Sequence, residues 1–257
     1  MRSTRDRAGL LPAAAATGLV TVLVTALLTS YAASAGAAGS DRPAVGECRA
    51  LRFGQISQPS DTTTAVPCST AHTDRVIKVA DLPSGTTWDT LTAAQVGRLG
   101  ITECTPAFRR ALGQNDQVRD SSAYAWIFFE PTQAQRDAGA TWIRCDLILL
   151  KGRALKALPT DAVPALHSSK PSDKVRRCLV GTRHLTTVCT ATHDFRATGT
   201  FAVKGSYPGN TKLASIARKR CPALVSTPRR FLFSHPSTFT WNHERDHAVV
   251  CFSHRSS

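Results

Sequence analysis

Hydrophobic and polar positions follow three different rhythms along the 257 residues. Between Ala8 and Ser40 there is no charged residue at all, and 19–28 reads LVTVLVTALL. Arg2, Arg5 and Arg7 stand before this apolar core, and the small-residue run AASAGAAGS follows it, offering Ala33-Ser34-Ala35 for cleavage. A basic flank, an apolar core and an A-x-A tail are the parts of a secretory signal peptide. An uncleaved anchor is the alternative, since about 20 apolar helical residues cross a bilayer. Either way the arginines hold the N-terminus in the cytoplasm and the remainder lies outside.

From residue 41 onward, runs of period two alternate with one stretch of period 3.6. Apolar β-type runs predict strands near 45–51, 75–80, 124–129 and 142–149. Ile101, Cys104, Phe108 and Leu112 recur at spacings of three and four, which predicts a helical region over 92–112. Gly97, Gly100 and Pro106 argue against one straight helix there. Thr105 and Pro106 would then be the cap and first residue of a second one. A short helix or loop is expected at 131–139. The order recurs further on, with strands near 178–180, 196–203, 231–233 and 248–252 and a helix near 212–225.

The cysteines recur in the same way. Cys48, Cys68, Cys104 and Cys145 form one set, and Cys178, Cys189, Cys221 and Cys251 another. VPCSTAH around Cys68 matches TVCTATH around Cys189, with His72 and His193 each four residues on. ECTPAF matches RCPAL, and IFFEPT matches FLFSHPST. Four features in one order predict an internal repeat. The expected organisation is an export segment at 1–40, a four-cysteine domain at 41–155, a Pro-rich linker at 156–173 and a second four-cysteine domain at 174–257. The fold class expected is α+β: two tandem small disulfide-bonded domains, each a mainly antiparallel sheet with one main helical region.

An even number of cysteines in an exported chain points to disulfides. Zinc sites need close pairs such as C-x2-C, and the sequence has none. Four cysteines per set allow three connectivities. First with second and third with fourth is favoured: Cys48 with Cys68, Cys104 with Cys145, Cys178 with Cys189 and Cys221 with Cys251. The crossed pairing would need a more entangled sheet.

Charge changes the picture in the second set. Residues 41–153 hold 13 basic and 12 acidic side chains, whereas 170–257 hold 15 basic and 4 acidic. Arg176, Arg177, Arg218, Lys219, Arg220, Arg229 and Arg230 are its clusters and the candidate anion-binding residues. Outside a cell the expected partner is an anionic envelope polymer or an envelope protein, and not nucleic acid. Membrane contact is expected only through an uncleaved N-terminal segment.

Catalytic signals are thin. C-x3-H at Cys68 and Cys189 would suit a Cys–His pair only if the thiolate were free, and a disulfide removes it. His243-Glu244-Arg245-Asp246-His247 matches H-E-x-x-H to the letter, but zinc proteases carry that motif on a stable helix with a third ligand downstream. Aligning the two sets places it in a loop equivalent to QRDAGAT. A secreted zinc hydrolase with His243 and His247 as metal ligands is the alternative to a non-catalytic binding protein with no cofactor.

The ordered set VGEC, VPCSTAH, Cys104 and PTQAQRDAGATWIRCD resembles the actinobacterial septum formation family domain. The matching positions are Val45, Gly46, Cys48, Val66, Pro67, Cys68, His72, Cys104, Pro131, Gly139, Trp142 and Cys145. The second set is similar but more divergent, keeping Cys178, Cys189, His193, Cys221, Pro236, Trp241 and Cys251. The resemblance implies a secreted or membrane-anchored protein linked to septum formation, with a division protein as an expected partner, and it carries no catalytic residues over.

Overall fold

The computed structural model describes residues 42–160, 166 and 170–255. The export segment at 1–40 with its cleavage site, and Pro164 of the linker, lie outside the described residues. The elements in chain order are β1 (Cys48–Arg49), β2 (Ala65–Val66), β3 (Asp74–Asp81), α1 (Ala93–Leu112), α2 (Asp116–Asp120), β4 (Tyr124–Phe129), α3 (Gln133–Asp137), β5 (Trp142–Lys151) and β6 (Ala154–Leu155). There follow β7 (Arg177–Val180), β8 (Leu185–Val188), β9 (Phe195–Ala202), α4 (Asn210–Arg220), β10 (Phe231–Ser234) and β11 (Ala248–His254). The protein is α+β, with two antiparallel sheets, a few helices and four disulfides.

The first sheet runs β2-β1-β3-β5-β4, with β6 paired to β5. The second runs β8-β7-β9-β11-β10, the same order shifted along the chain. Their registers also agree. Cys48 faces Arg75 as Cys178 faces Arg196. A register shift separates the Asp146 and Cys145 pairs in one sheet and the Phe252 and Cys251 pairs in the other.

β5 lies between β3 and β4 and is buried on both sides from Trp142 to Leu149. A central strand covered on both faces is expected to be almost continuously apolar. Arg144 and Asp146 interrupt that run.

The structure corrects the expected break at Pro106. Residues 93–112 form one helix with Pro106 inside it. Thr92 caps its start, accepting from the Gln95 amide, and Gly113 ends it at φ 104°. Val96, Gly100, Cys104, Ala107 and Leu112 are buried on either side of the proline. Interior proline costs about 3 kcal/mol. Each large apolar side chain buried contributes about 1.5–3 kcal/mol, so packing outweighs the lost bond. Gly100 is required by close approach, because a Cβ there would meet the Phe128 ring at 2.6 Å.

The predicted strand at 45–51 shrinks to two residues, because the chain turns at Gly46 (φ 94°) before entering the sheet. Disulfides join Cys48 to Cys68, Cys104 to Cys145, Cys178 to Cys189 and Cys221 to Cys251, with no free cysteine among the described residues. Two of them pin α1 and the residue after α4 to the central strands β5 and β11.

The described residues fall in one compact unit. Val188 of β8 packs in one core cluster with Leu112, Tyr124, Leu147 and Leu149. The Ala123 amide donates to the Val175 carbonyl at 2.7 Å, and the Arg177 amide to that of Ser121 at 2.8 Å. Leu158, in the stretch between the two sheets, is buried in the same cluster, its amide donating to the His72 carbonyl at 2.8 Å. Among the described residues no helix is long and apolar enough to cross a membrane.

Candidate functional site

The basic residues of the second half divide into two groups. α4 packs Leu213 and Ala217 onto its sheet and leaves its last turn, Arg218, Lys219 and Arg220, in solvent. Three cations at a helix C-terminus complement the partial negative charge of its free carbonyls. The Arg220 guanidinium lies 3.9 Å from the ring centroid of Phe201 on β9, and that of Arg218 5.9 Å from Phe233 on β10. The rings therefore spread the two arginines towards the two strands that flank β11, with exposed Lys219 between them in sequence. Arg229 and Arg230 are exposed in the turn before β10, held where Thr227 Oγ1 donates to the Arg230 carbonyl at 2.8 Å. None of these five makes an ion pair among the described residues.

They stand unopposed because the four acids of this half are used elsewhere. Asp173 pairs with Arg176 and Arg196, at 3.5 and 2.8 Å. Asp194 accepts from the Gly181 amide at 2.7 Å. Glu244 and Asp246 face α1 and α2 of the first half.

Arg176 and Arg177 are placed differently from the other five. Arg176 donates to the Pro171 carbonyl at 2.7 Å. Arg177 sits over the Phe252 ring at 5.4 Å, deep between the halves, beside Asp120 and Asp246. Burial lowers its pKa, and the two carboxylates oppose that shift. The carboxyl of Asp120 is pushed well up, by burial first and then by Asp246. Asp246 is raised as well, chiefly by burial. These two arginines bind parts of the protein to each other.

The HERDH stretch does not form one helical face. A wide helical turn covers Thr240–Glu244, and Arg245 then enters the left-handed region at φ 52°. His243 lies against Phe239 at 4.8 Å between centroids, whereas His247 stacks on buried Trp241 at 4.2 Å. The Glu244 carbonyl accepts from Arg109 of α1. No group of three His, Cys, Asp or Glu able to hold a metal occurs among the described residues. His72 and His193 repeat one geometry, each Nδ1 lying 2.8 Å from the carbonyl two residues earlier, at Thr70 and Ala191. Trp88, Trp142 and Trp241 are buried, each 3 to 6% exposed.

One constellation is absent from the sequence reading: a charged cluster inside the first half. Arg144 Nε donates to Asp146 at 2.8 Å, and its Nη2 to Asp61 at 2.8 Å. Both carboxylates and the guanidinium are almost fully buried. Arg49 pairs with Glu47 and donates to the Thr63 carbonyl at 2.7 Å. Asp74, paired in register with Arg49, is fully buried, and burial followed by the nearby Asp146 drives its carboxyl well up. Burial also acts to raise Asp61, but hydrogen bonds from Arg144 and Thr63 outweigh it and hold that carboxyl low. The sequence signal was Arg144 and Asp146 at period two in an otherwise apolar run.

A family model described as Septum formation matches residues 46–231, a span that covers the whole first sheet and, of the second, β7, β8 and β9. No curated protein and no solved structure matches the chain.

Proposed function

Because the chain belongs to the septum formation family, we propose that it is a non-catalytic binding module of the cell envelope that takes an anionic polymer on its second half. Four disulfides suit an oxidising, extracytoplasmic compartment. The observation that carries the proposal is the exposed set Arg218, Lys219, Arg220, Arg229 and Arg230, which pairs with no acid among the described residues. Unopposed surface cations attract polyanions over about a Debye length, roughly 10 Å at 0.1 M salt. Guanidiniums also offer paired donors that fit carboxylate and phosphate. The common strand order and register of the two sheets support a tandem duplication. In that reading the first copy kept a balanced surface and the second gained a basic one.

The test is retention of the purified protein on immobilised poly(glycerol phosphate). Retention should be lost as salt rises. Replacing Arg218, Arg220 and Arg230 together by Glu should weaken it at least tenfold, about 1.4 kcal/mol. Unchanged retention in the triple variant would refute the proposal, as would binding indifferent to salt.

A further inference from the structure

The two sheets place different chemistry at the same register positions. Arg49 pairs with Asp74 where the second sheet pairs Leu179 with Phe195. Asp146 faces Val76 where Phe252 faces Ala197. Arg144 precedes Cys145 where Val250 precedes Cys251. Leu179, Phe195, Ala197, Val250 and Phe252 form an apolar cluster in the second half. The first half fills the corresponding ground with two arginines and two buried acids. Since the same strand frame closes over an apolar core, the fold does not need those charges. Buried ion pairs replaced by well-packed apolar groups are often neutral or stabilising by about 1–4 kcal/mol.

The charged cluster also adjoins open space. A cleft of about 470 Å³ is lined by Arg49, Asp61, Thr64, Gln135, Trp142 and Arg144, with Arg42 and Glu47 at its edge. That volume lies within the ordinary range of small-ligand sites. Two lining side chains carry a buried donor without a partner among the described residues, Arg49 Nε and Trp142 Nε1. An unsatisfied buried donor costs about 1–3 kcal/mol, and a small opening of the cleft wall would let a ligand's acceptor reach it.

The charges around the cleft are already matched: Arg42 with Asp81, Arg49 with Glu47, and Arg144 with Asp61 and Asp146. A strongly charged ligand would have to displace one of these partners. A ligand with many neutral donors and acceptors would instead add to guanidinium, carboxylate, hydroxyl and amide edges together. We propose that this cleft in the first half is a binding site for a neutral, hydroxyl-rich ligand, a short saccharide.

The test is a titration of the ¹⁵N-labelled protein with tetra-N-acetylchitotetraose and with maltotetraose. Concentrations should reach about 10 mM, ten times a millimolar Kd. At least one of them should shift the Trp142 indole N–H and the Arg144 Nε–H saturably, leaving the indole signals of Trp88, Trp126 and Trp241 in place. Thr64→Trp sets a ring at the exposed rim without entering the core. It should abolish the shift while the melting temperature stays unchanged. Glycerol phosphate and putrescine serve as anionic and cationic probes. No saturable shift with either saccharide, a response to a charged probe alone, or saccharide shifts that persist in Thr64→Trp would overturn the proposal.

Discussion

The four disulfides close loops of different length, and that difference gives a graded prediction. Cys104–Cys145 spans 41 residues and Cys178–Cys189 spans 11. In the chain-entropy treatment a cross-link removes about 2.1 + 1.5R ln n cal/mol/K of entropy from the unfolded chain, with n the loop length. At 298 K this gives about 3.9 kcal/mol for the longer loop and about 2.8 kcal/mol for the shorter. Replacing Cys104 and Cys145 together by Ala should therefore destabilise the protein by about 1.2 kcal/mol more than the same change at Cys178 and Cys189. All four cysteines are buried, the most exposed being Cys189 at 8%, so the void left by each truncated pair is similar and largely cancels in the comparison. The assay is urea unfolding of each double variant, followed by tryptophan fluorescence and fitted with a common slope. For a unit of this size the longer-loop variant should melt about 8–16 °C lower than the parent. Equal losses at the two sites, or a greater loss at Cys178–Cys189, would refute the reasoning.

Three further outcomes are expected. Gly100→Ala adds a Cβ within 2.6 Å of the Phe128 ring. It should destabilise by up to about 2 kcal/mol by chemical denaturation, overpacking of about 1–3 kcal/mol set against a helix-propensity gain near 1 kcal/mol. Gly100→Ala with Phe128→Ala should recover that penalty in a double-mutant cycle. The raised carboxyls of Asp120 and Asp246 make folding hold a proton more tightly than the unfolded chain does. The stability they contribute is full below the ordinary carboxylate range and is lost as pH rises through their folded values. Arg177, Arg119, Asp116 and Glu244 surround the pair and remain in place, so Asp246→Asn should gain on the parent as pH rises above the ordinary carboxylate range in thermal melts. A pH-independent difference would remove the pair from the account.

Element types were readable where the pattern was long. The run 75–80 and the strands around Cys145 and Cys251 carry β-branched and aromatic residues over enough length to show their period. β2, with two residues, and α2, with five, are too short to show any. They exist because neighbours hold them: β2 pairs with β1, and α2 rests on Asn115, whose side chain caps it, and against β11. Pro106 misled because local chemistry favours a break there, while Cys104 and Ala107 pay into contacts that only the folded sheet supplies. The exposed arginines of α4 were legible as a cluster, since a helix end puts sequence neighbours in one patch of solvent. Arg177 was not, because adjacent residues on a strand point to opposite sides and one of those sides is the seam between the halves. Arg144 and Asp146 were hidden by the same alternation, reading as solvent positions until the loop bearing Asp61 is seen to cover them.

No bridge crosses from one half to the other: two close before Asp146 and two open after Arg177. The halves are held to each other by the cluster around Val188 and Leu147, by a few backbone hydrogen bonds and by the charges about Arg177. Under tension along the chain, this uncrosslinked seam is expected to yield before any covalent link does. Each half keeps its covalent staples, so the segments inside its disulfide loops stay out of any extension.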